Sequence, residues 1–153
     1  MRGAGVRRLA LARLRRIREA GDPSALRDLH ARYKYLLMAH DPVSARALGR
    51  LAAEARSASF ADACDAYARG VDGALATPAA PGGHVNALLH MFGYLPGELP
   101  AAERNRFLVA LEAYRLGTGT LAEPVTLLRR WILQYDVAYL KPQVYFEPYF
   151  RRR

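Results

Sequence analysis

Residues 22–42 read DPSALRDLHARYKYLLMAHDP, and this stretch decides the fold class. An Asp-Pro pair stands at each end. Aspartate caps the free N–H groups of a helix start, and proline suits the first helical turn. Between the pairs, side chains suited to a buried face recur every three or four residues, the period of a helix. They are Leu26, Leu29, Tyr33, Leu36, Leu37 and His40. The stretch predicts one helix from Pro23 to about His40 and the start of another at Pro42.

Similar signals divide the rest of the chain, and no alternating strand pattern persists. The other predicted helices span 5–20, Pro42 to Ala55, Phe60 to Leu75, His84 to Tyr94, Ala101 to Leu116 and onward from Pro124. The longest predicted loop is 77–83. In the sixth helix the predicted inward residues are Phe107, Leu108, Leu111 and Tyr114. The sequence therefore predicts an all-α fold: a single compact bundle of about seven helices, in one domain over 1–153 with a short basic tail at 151–153.

Composition is that of an ordinary globular protein, with 52% hydrophobic and 24% charged residues in 153. A single cysteine, Cys64, excludes an internal disulfide and any site built on several cysteines. No apolar run approaches the roughly 20 residues of a membrane span. The arginines of the first helix interrupt every candidate signal sequence. We expect a cytoplasmic protein with no membrane association, no metal site and no cofactor.

Charge is distributed unevenly along a chain whose net charge is +9. Residues 1–56 carry 13 bases and 5 acids, residues 57–103 carry 1 base and 5 acids, and residues 104–153 carry 9 bases and 4 acids. Such an excess indicates a polyanionic partner, because phosphates attract clustered cations. The alternative is a solvated surface in a protein that uses 21 arginines and only 2 lysines.

The second helix carries a polar face opposite its apolar stripe. Arg27, Lys34 and Met38 share this outer face, with Arg32 and Tyr35 beside it. Arginine, lysine and tyrosine together suit phosphates and stacked bases. An exposed helix face with no ligand remains the alternative.

A second string, Pro81-Gly-Gly-His-Val-Asn-Ala-Leu-Leu-His90, leads into the fifth helix. Glycines at a helix start leave backbone N–H groups open to a phosphate or carboxylate. Side-chain donors would come from His84 and Asn86, and Asn86 shares a helix face with His90. The alternative is an ordinary helix start with a core histidine bonded to Asn86.

Further cations stand near the C-terminus. Arg115 precedes a glycine-containing loop, and Arg129 and Arg130 lie off the apolar stripe of the seventh helix. All three are candidate phosphate contacts. We expect the aromatic residues of the tail to pack and its arginines to be solvated.

These strings carry a resemblance to a known family. They are His30-Ala-Arg-Tyr-Lys34, Ala39-His40, His84-Val-Asn86, His90, Gly93-Tyr94, Tyr114-Arg-Leu-Gly117, Pro124-Val-Thr-Leu-Leu128 and Tyr139-Leu-Lys-Pro-Gln-Val-Tyr-Phe146. In this order they resemble the YbgA family, helical domains of unknown function, over nearly the whole chain. The family pattern has threonine where this chain has Val85, which removes a hydroxyl from that turn.

The resemblance implies a role near RNA. Family members occur alone and also fused behind a cysteine-bearing domain similar to thiouracil desulfurases. Those fused forms are associated with removal of sulfur from thiolated uridine in tRNA. This chain lacks the three cysteines that such a domain uses, so any desulfuration would come from a separate desulfurase-type protein partner.

The leading hypothesis is an RNA-binding helical domain, most specifically for tRNA. Its predicted contacts are Arg32, Lys34, His84, Asn86, His90, Arg115, Arg129 and Arg130. One alternative is a small enzyme of unknown reaction that uses His84, Asn86 and His90 for acid–base chemistry. Another is a basic module that docks an acidic protein partner.

Overall fold

Seven helices make up most of the chain in the computed structural model, which describes residues 2–147 and only the backbone of Arg2. They are α1 (Arg2–Ala20), α2 (Pro23–His40), α3 (Pro42–Glu54), α4 (Phe60–Ala76), α5 (Pro81–Phe92), α6 (Ala101–Arg115) and α7 (Ala122–Gln134). Two single 3₁₀ turns, Ser57–Ser59 and Val144–Phe146, accompany them. No strand occurs within these described residues, and the all-α prediction is confirmed.

Both Asp-Pro helix starts form as predicted. One carboxylate oxygen of Asp22 accepts a hydrogen bond from the Ser24 N–H at 3.0 Å. Asp41 likewise accepts from the N–H groups of Val43 and Ser44, each at 3.1 Å. Its own N–H donates to the Leu37 carbonyl, so this one residue ends α2 and begins α3. A one-residue connection holds α2 and α3 as a tight helical hairpin.

α2 lies at the centre of the molecule. It packs against α3, α4 and α5, and the 3₁₀ turn at 144–146 also contacts it. α1 packs along α4, whereas α6 and α7 pair with each other and rest on α5. The predicted stripe of α4 is fully buried at Phe60, Cys64, Tyr67, Val71 and Leu75. Two faces of α2 remain at the surface, and both border clefts.

Two predicted side-chain orientations are wrong. Tyr35 was assigned to the outer edge of α2 but is 1% exposed, because Tyr139 returns from beyond α7 and meets its ring edge-on at 6.3 Å. In α6 the inward set is Phe107, Ala110 and Leu111, while Leu108 is 43% exposed. The face of α6 that packs against its neighbours is therefore rotated slightly from the face that the apolar pattern predicts.

Helix boundaries differ from prediction by a few residues. α1 begins at Arg2 rather than residue 5, and α7 begins at Ala122. α5 begins at Pro81, so the loop expected over 77–83 is confined to 77–80. The predicted basic tail, 151–153, lies outside the described residues. No helix in 2–147 is both long enough and apolar enough to cross a membrane.

Candidate nucleic-acid interface

A groove of about 630 Å³ runs over the outer face of α2, with α3 as one wall and α5 as the other. α2, α3 and α5 each contribute residues at helical spacing. They are Arg27, His30, Ala31, Lys34 and Met38 from α2; Pro42, Ala45, Arg46, Gly49, Ala52 and Ala53 from α3; Asn86 and His90 from α5; and Tyr139 at the rim. This opening lies on the predicted basic face of α2.

The floor is the polar stripe predicted from sequence. Arg27, Lys34 and Met38 follow one another at intervals of seven and four residues, so they lie along one face of α2. All three line the groove. The prediction that they share an outer face is confirmed.

The α3 wall consists largely of small residues. At Gly49, an added Cβ would stand only 3.0 Å from Nε2 of His30. His30 is held from its other side, because Nδ1 lies 2.8 Å from the Tyr67 hydroxyl. Burial, and secondarily the charge of Lys34, lower the pKa of His30. The ring is therefore an uncharged part of the groove floor near neutral pH, positioned by Gly49 and Tyr67.

α5 supplies the two polar side chains predicted to share a face. Asn86 and His90 both line the groove, and His90 is exposed rather than buried in the core. The alternative of a core histidine bonded to Asn86 is thereby wrong. Among residues 2–147, neither side chain has a hydrogen-bonding side-chain partner, so both are available to a ligand.

His84 does not join them. Its Nδ1 lies 2.8 Å from the Tyr145 hydroxyl, and its ring packs edge-on against Tyr114 and Tyr145. Burial, with a smaller contribution from the charge of His40, lowers the pKa of His84 to about 4. His84 and Asn86 are two positions apart in the chain, which places them on different faces of α5. The prediction that His84 offers a side-chain donor beside Asn86 is therefore wrong, because its ring packs against Tyr114 and Tyr145.

The glycine pair also has another role than predicted. Gly82 and Gly83 belong to the first turn of α5, and the N–H groups of Gly83 and His84 both donate to the Ala80 carbonyl. A Cβ on Gly83 would stand 2.0 Å from the backbone oxygen of Ala39. Gly83 thus allows α5 to cross α2 at close range. The Gly83 side of this helix start is therefore closed by α2 and is not open to an anion.

The electrostatic character of the groove is one-sided. Among residues 2–147, its lining includes three permanent cations, Arg27, Lys34 and Arg46, and no aspartate or glutamate. Within the described chain none of the three lies within 4 Å of a carboxylate oxygen. These charges are free to meet an anion.

Two exposed tyrosines stand at the rim. The rings of Tyr94 and Tyr139 are 4.9 Å apart and tilted by 39°, with exposed fractions of 50% and 40%. Nζ of Lys34 lies 3.4 Å from the Tyr139 hydroxyl and 6.0 Å from the centre of that ring. An aromatic surface of this kind, beside a cation, can stack a planar ring.

The remaining predicted cations lie elsewhere. Arg32 and Arg129 line a second cleft of about 290 Å³ between α2, α7 and the segment after α7, together with Lys141 and Glu147. Arg115 is held in a two-pronged ion pair by Glu112 at 2.6 and 2.7 Å. Arg130 lies 3.3 Å from Glu103. The eight predicted contacts therefore do not form one site, and only Lys34, Asn86 and His90 meet in the groove.

Three polar residues of the groove were not predicted from the sequence as contacts: His30, Arg46 and Tyr139. Arg46 lies on the same face of α3 as the small residues Pro42, Ala45, Gly49 and Ala52, whose helical spacing is visible in the sequence. That spacing could have predicted that this face of α3 forms a wall of the groove. Nothing local marks Tyr139, which reaches the groove from a distant part of the chain.

Comparisons with known proteins give a family but no activity. Residues 34–149 match a family model described as a protein of unknown function, DUF1722. The chain is 33% identical over 144 residues to the uncharacterized protein YbgA of Escherichia coli strain K12, covering 93% of this chain and 85% of that protein. No solved structure matches the chain. The chain belongs to the YbgA family of DUF1722 proteins.

Proposed function

We propose that this protein binds RNA, most specifically tRNA, in the bacterial cytoplasm, and that the groove over α2 is its main contact surface. The observation that carries the proposal is the groove lining, in which the described residues place three cations with no carboxylate partner beside two exposed tyrosines. Phosphates supply most of the affinity of nucleic-acid complexes, and aromatic rings stack on unpaired bases.

The groove brings together residues suited to phosphate contacts and residues suited to base contacts. Lys34 and Arg46 supply charge, and Asn86 and His90 supply directional hydrogen bonds. Arg32 and Arg129, in the second cleft, extend the basic surface along the other side of α2. Arg115 and Arg130 contribute less, because each already has a carboxylate partner.

The resemblance to relatives fused with desulfurase-like domains favours tRNA over other RNA. With its single cysteine, the chain would hold the RNA while a separate desulfurase-type protein acts on thiolated uridine. The protein itself would then supply binding and orientation rather than the sulfur chemistry.

A salt series tests the binding proposal. Fluorescence anisotropy with end-labelled tRNA should show an affinity that falls at least tenfold between about 50 and 200 mM salt, because bound cations release condensed counterions. An absent interaction, or one unchanged by salt, would overturn it. Retention of an acidic protein but no nucleic acid at low salt would favour the docking alternative instead.

A second candidate function is enzymatic, and the accessible imidazole of His90 favours it. His90 lines the groove together with Asn86 and the neutral His30, an arrangement able to move a proton on a bound substrate. The test is to incubate tRNA with the protein and with a His90→Gln variant, then digest it and weigh the nucleosides. A mass change that needs His90 would support catalysis, and unchanged nucleosides in both samples would count against it.

A further inference from the structure

We propose that the groove holds a single unpaired nucleotide, with its phosphate between Lys34 and Arg46 and its base beside Asn86. This inference rests on the proposed RNA binding, and it names the part of the RNA that enters. Its ligand chemistry, a phosphate joined to a planar ring, is shared by free mononucleotides.

The size of the groove selects the ligand. Its volume of about 630 Å³ lies in the range of about 300–1,000 Å³ that small-molecule sites occupy. Because Asp41 alone joins α2 to α3, the α3 wall stays packed against the α2 floor, with the two helix axes about 8–10 Å apart. A double helix is too wide to enter a groove of this volume, whereas one nucleotide turned out of its stack can do so.

The register of the hairpin brings two groove cations to one level along its axis. His30 of α2 lies against Gly49 of α3, and the two helices run in opposite directions. Moving one helical turn towards the connection on each side brings Lys34 to the level of Ala45 and Arg46. Two cations at one level, Lys34 on the floor and Arg46 on the α3 wall, match a phosphate group between them.

The rest of that level suits a base. Ala45 and Met38 offer apolar surface for the faces of a planar ring. Asn86 offers one amide donor and one carbonyl acceptor, the pairing that base edges present. Gly83 meets Ala39 near the end of α2, so Asn86, three residues further along α5, stands close to the Lys34–Met38 segment. The phosphate contacts and the base contacts are therefore separated by no more than the length of one nucleotide.

The rim explains why the nucleotide would belong to a strand. Tyr94 and Tyr139 are exposed at the mouth of the groove, beside Lys34. A neighbouring base can stack there while the backbone continues past the rim. A free nucleotide would leave these two rings unused.

The test is a chemical-shift titration of the ¹⁵N-labelled protein with four probes: uridine monophosphate, adenosine monophosphate, uridine and inorganic phosphate. We expect the mononucleotides to shift residues 34–38, 45–49 and 86–90 and to bind about tenfold more tightly than uridine or phosphate. Asn86→Ala should weaken mononucleotide binding about fivefold and leave phosphate binding unchanged. The matched control, Asn105→Ala, alters an exposed amide on α6 outside the groove and should change neither.

Each other result is decisive. Equal binding of phosphate and mononucleotide, unaffected by Asn86→Ala, would reduce the groove to an anion site and overturn the inference. Binding of tRNA with no shift at the groove would also overturn it, while RNA binding itself would stand on another surface. Mononucleotide binding in the groove without any tRNA binding would uphold the ligand chemistry, assign it to free nucleotides, and remove the proposed RNA function.

Discussion

The seam between α1 and α4 and the groove over α2 use arginine in opposite ways. At the seam, Arg7 meets Asp72 at 2.6 Å, and Arg18 contacts both carboxylate oxygens of Asp65 at 2.8 and 3.2 Å. In the groove, the cations line an opening to which the described part of the chain contributes no carboxylate. The same residue type stabilises a helix pair in one region and remains available to a ligand in the other.

The difference shows that net charge and available charge are separate quantities. The basic first third of the chain and the acidic middle third do not form two opposite faces throughout, because antiparallel packing of α1 on α4 pairs some of their charges. α2 and α3 pack on other helices and keep Arg27, Lys34 and Arg46 unpaired within the described chain.

The walls of the groove depend on the close crossing of α5 over α2 at Gly83, so this contact should contribute strongly to the free energy of unfolding. Gly83→Ala places a methyl group 2.0 Å from the Ala39 backbone oxygen, and α5 has to move away from α2. We expect the free energy of unfolding in urea to fall by about 3 kcal/mol. The control is the neighbouring Gly82→Ala, which meets nothing within 4 Å and should raise stability by about 0.5–1 kcal/mol through helix propensity. Equal effects of the two variants would contradict the crossing.

Charge reversal should separate the groove from other arginines. The double variant Lys34→Glu with Arg46→Glu should weaken tRNA binding about 100-fold and lower the salt slope by about 2, because two phosphate contacts are lost. Arg50→Glu, on α3 but outside the groove, is the matched control. We expect it to weaken binding less than about threefold by long-range attraction alone. A comparable loss for Arg50→Glu would show a diffuse basic surface instead of a site.

His84 should behave as a packing residue although it shares α5 with two groove residues. Its pKa of about 4 in the fold lies below the ordinary value of 6.5, so the unfolded chain takes up a proton first as pH falls. Stability is therefore full above about pH 6.5 and is lost as pH falls towards 4. The shift corresponds to about 3 kcal/mol, which partial exposure reduces to about 1–2 kcal/mol.

Urea unfolding of the wild type and of His84→Gln across this pH range measures that loss. The variant should show a flatter stability profile and an unchanged affinity for tRNA at neutral pH. A tenfold loss of tRNA affinity would return His84 to the binding site.

The seam should give the smallest effect. Hydrogen bonds and charge from Arg18 and Arg7 lower the pKa values of Asp65 and Asp72 below their ordinary value of 3.8. Such carboxylates stabilise the fold above that value, and the contribution is lost as they become protonated at lower pH. Asp65→Asn with Asp72→Asn should lower stability slightly at neutral pH and low salt, and the difference from wild type should vanish in acid. A difference that persists in acid would mean that these residues act through packing.

Much of the fold follows from local chemistry. Asp22-Pro23 and Asp41-Pro42 fix two helix starts, and the spacing of Phe60, Cys64 and Tyr67 identifies the buried face of α4. Tyr35 and Leu108 could not be placed this way. Their burial depends on which neighbour covers which face, and that is set by contacts between distant segments.

The groove is partly readable for the same reason. Lys34 lies on the face that helical spacing predicts, and Asn86 and His90 share theirs. Arg46 and Tyr139 join them only because α3 folds back on α2 and the segment after α7 returns to it. The sequence predicts a ligand-binding side chain at His84, but in the structure Nδ1 of its ring is hydrogen-bonded to the hydroxyl of Tyr145, 61 residues away.

The two lysines of the chain distinguish the groove from the second cleft as the contact surface for RNA. Lys34 lies in the groove, and Lys141 pairs with Asp136 beside the second cleft. Brief acetylation with and without tRNA, followed by mass spectrometry, reports the protection of each. We expect strong protection of Lys34 and weaker protection of Lys141, because Lys141 lines the peripheral cleft and already pairs with Asp136. Protection of Lys141 with Lys34 still fully reactive would contradict binding in the groove and move the RNA to the second cleft.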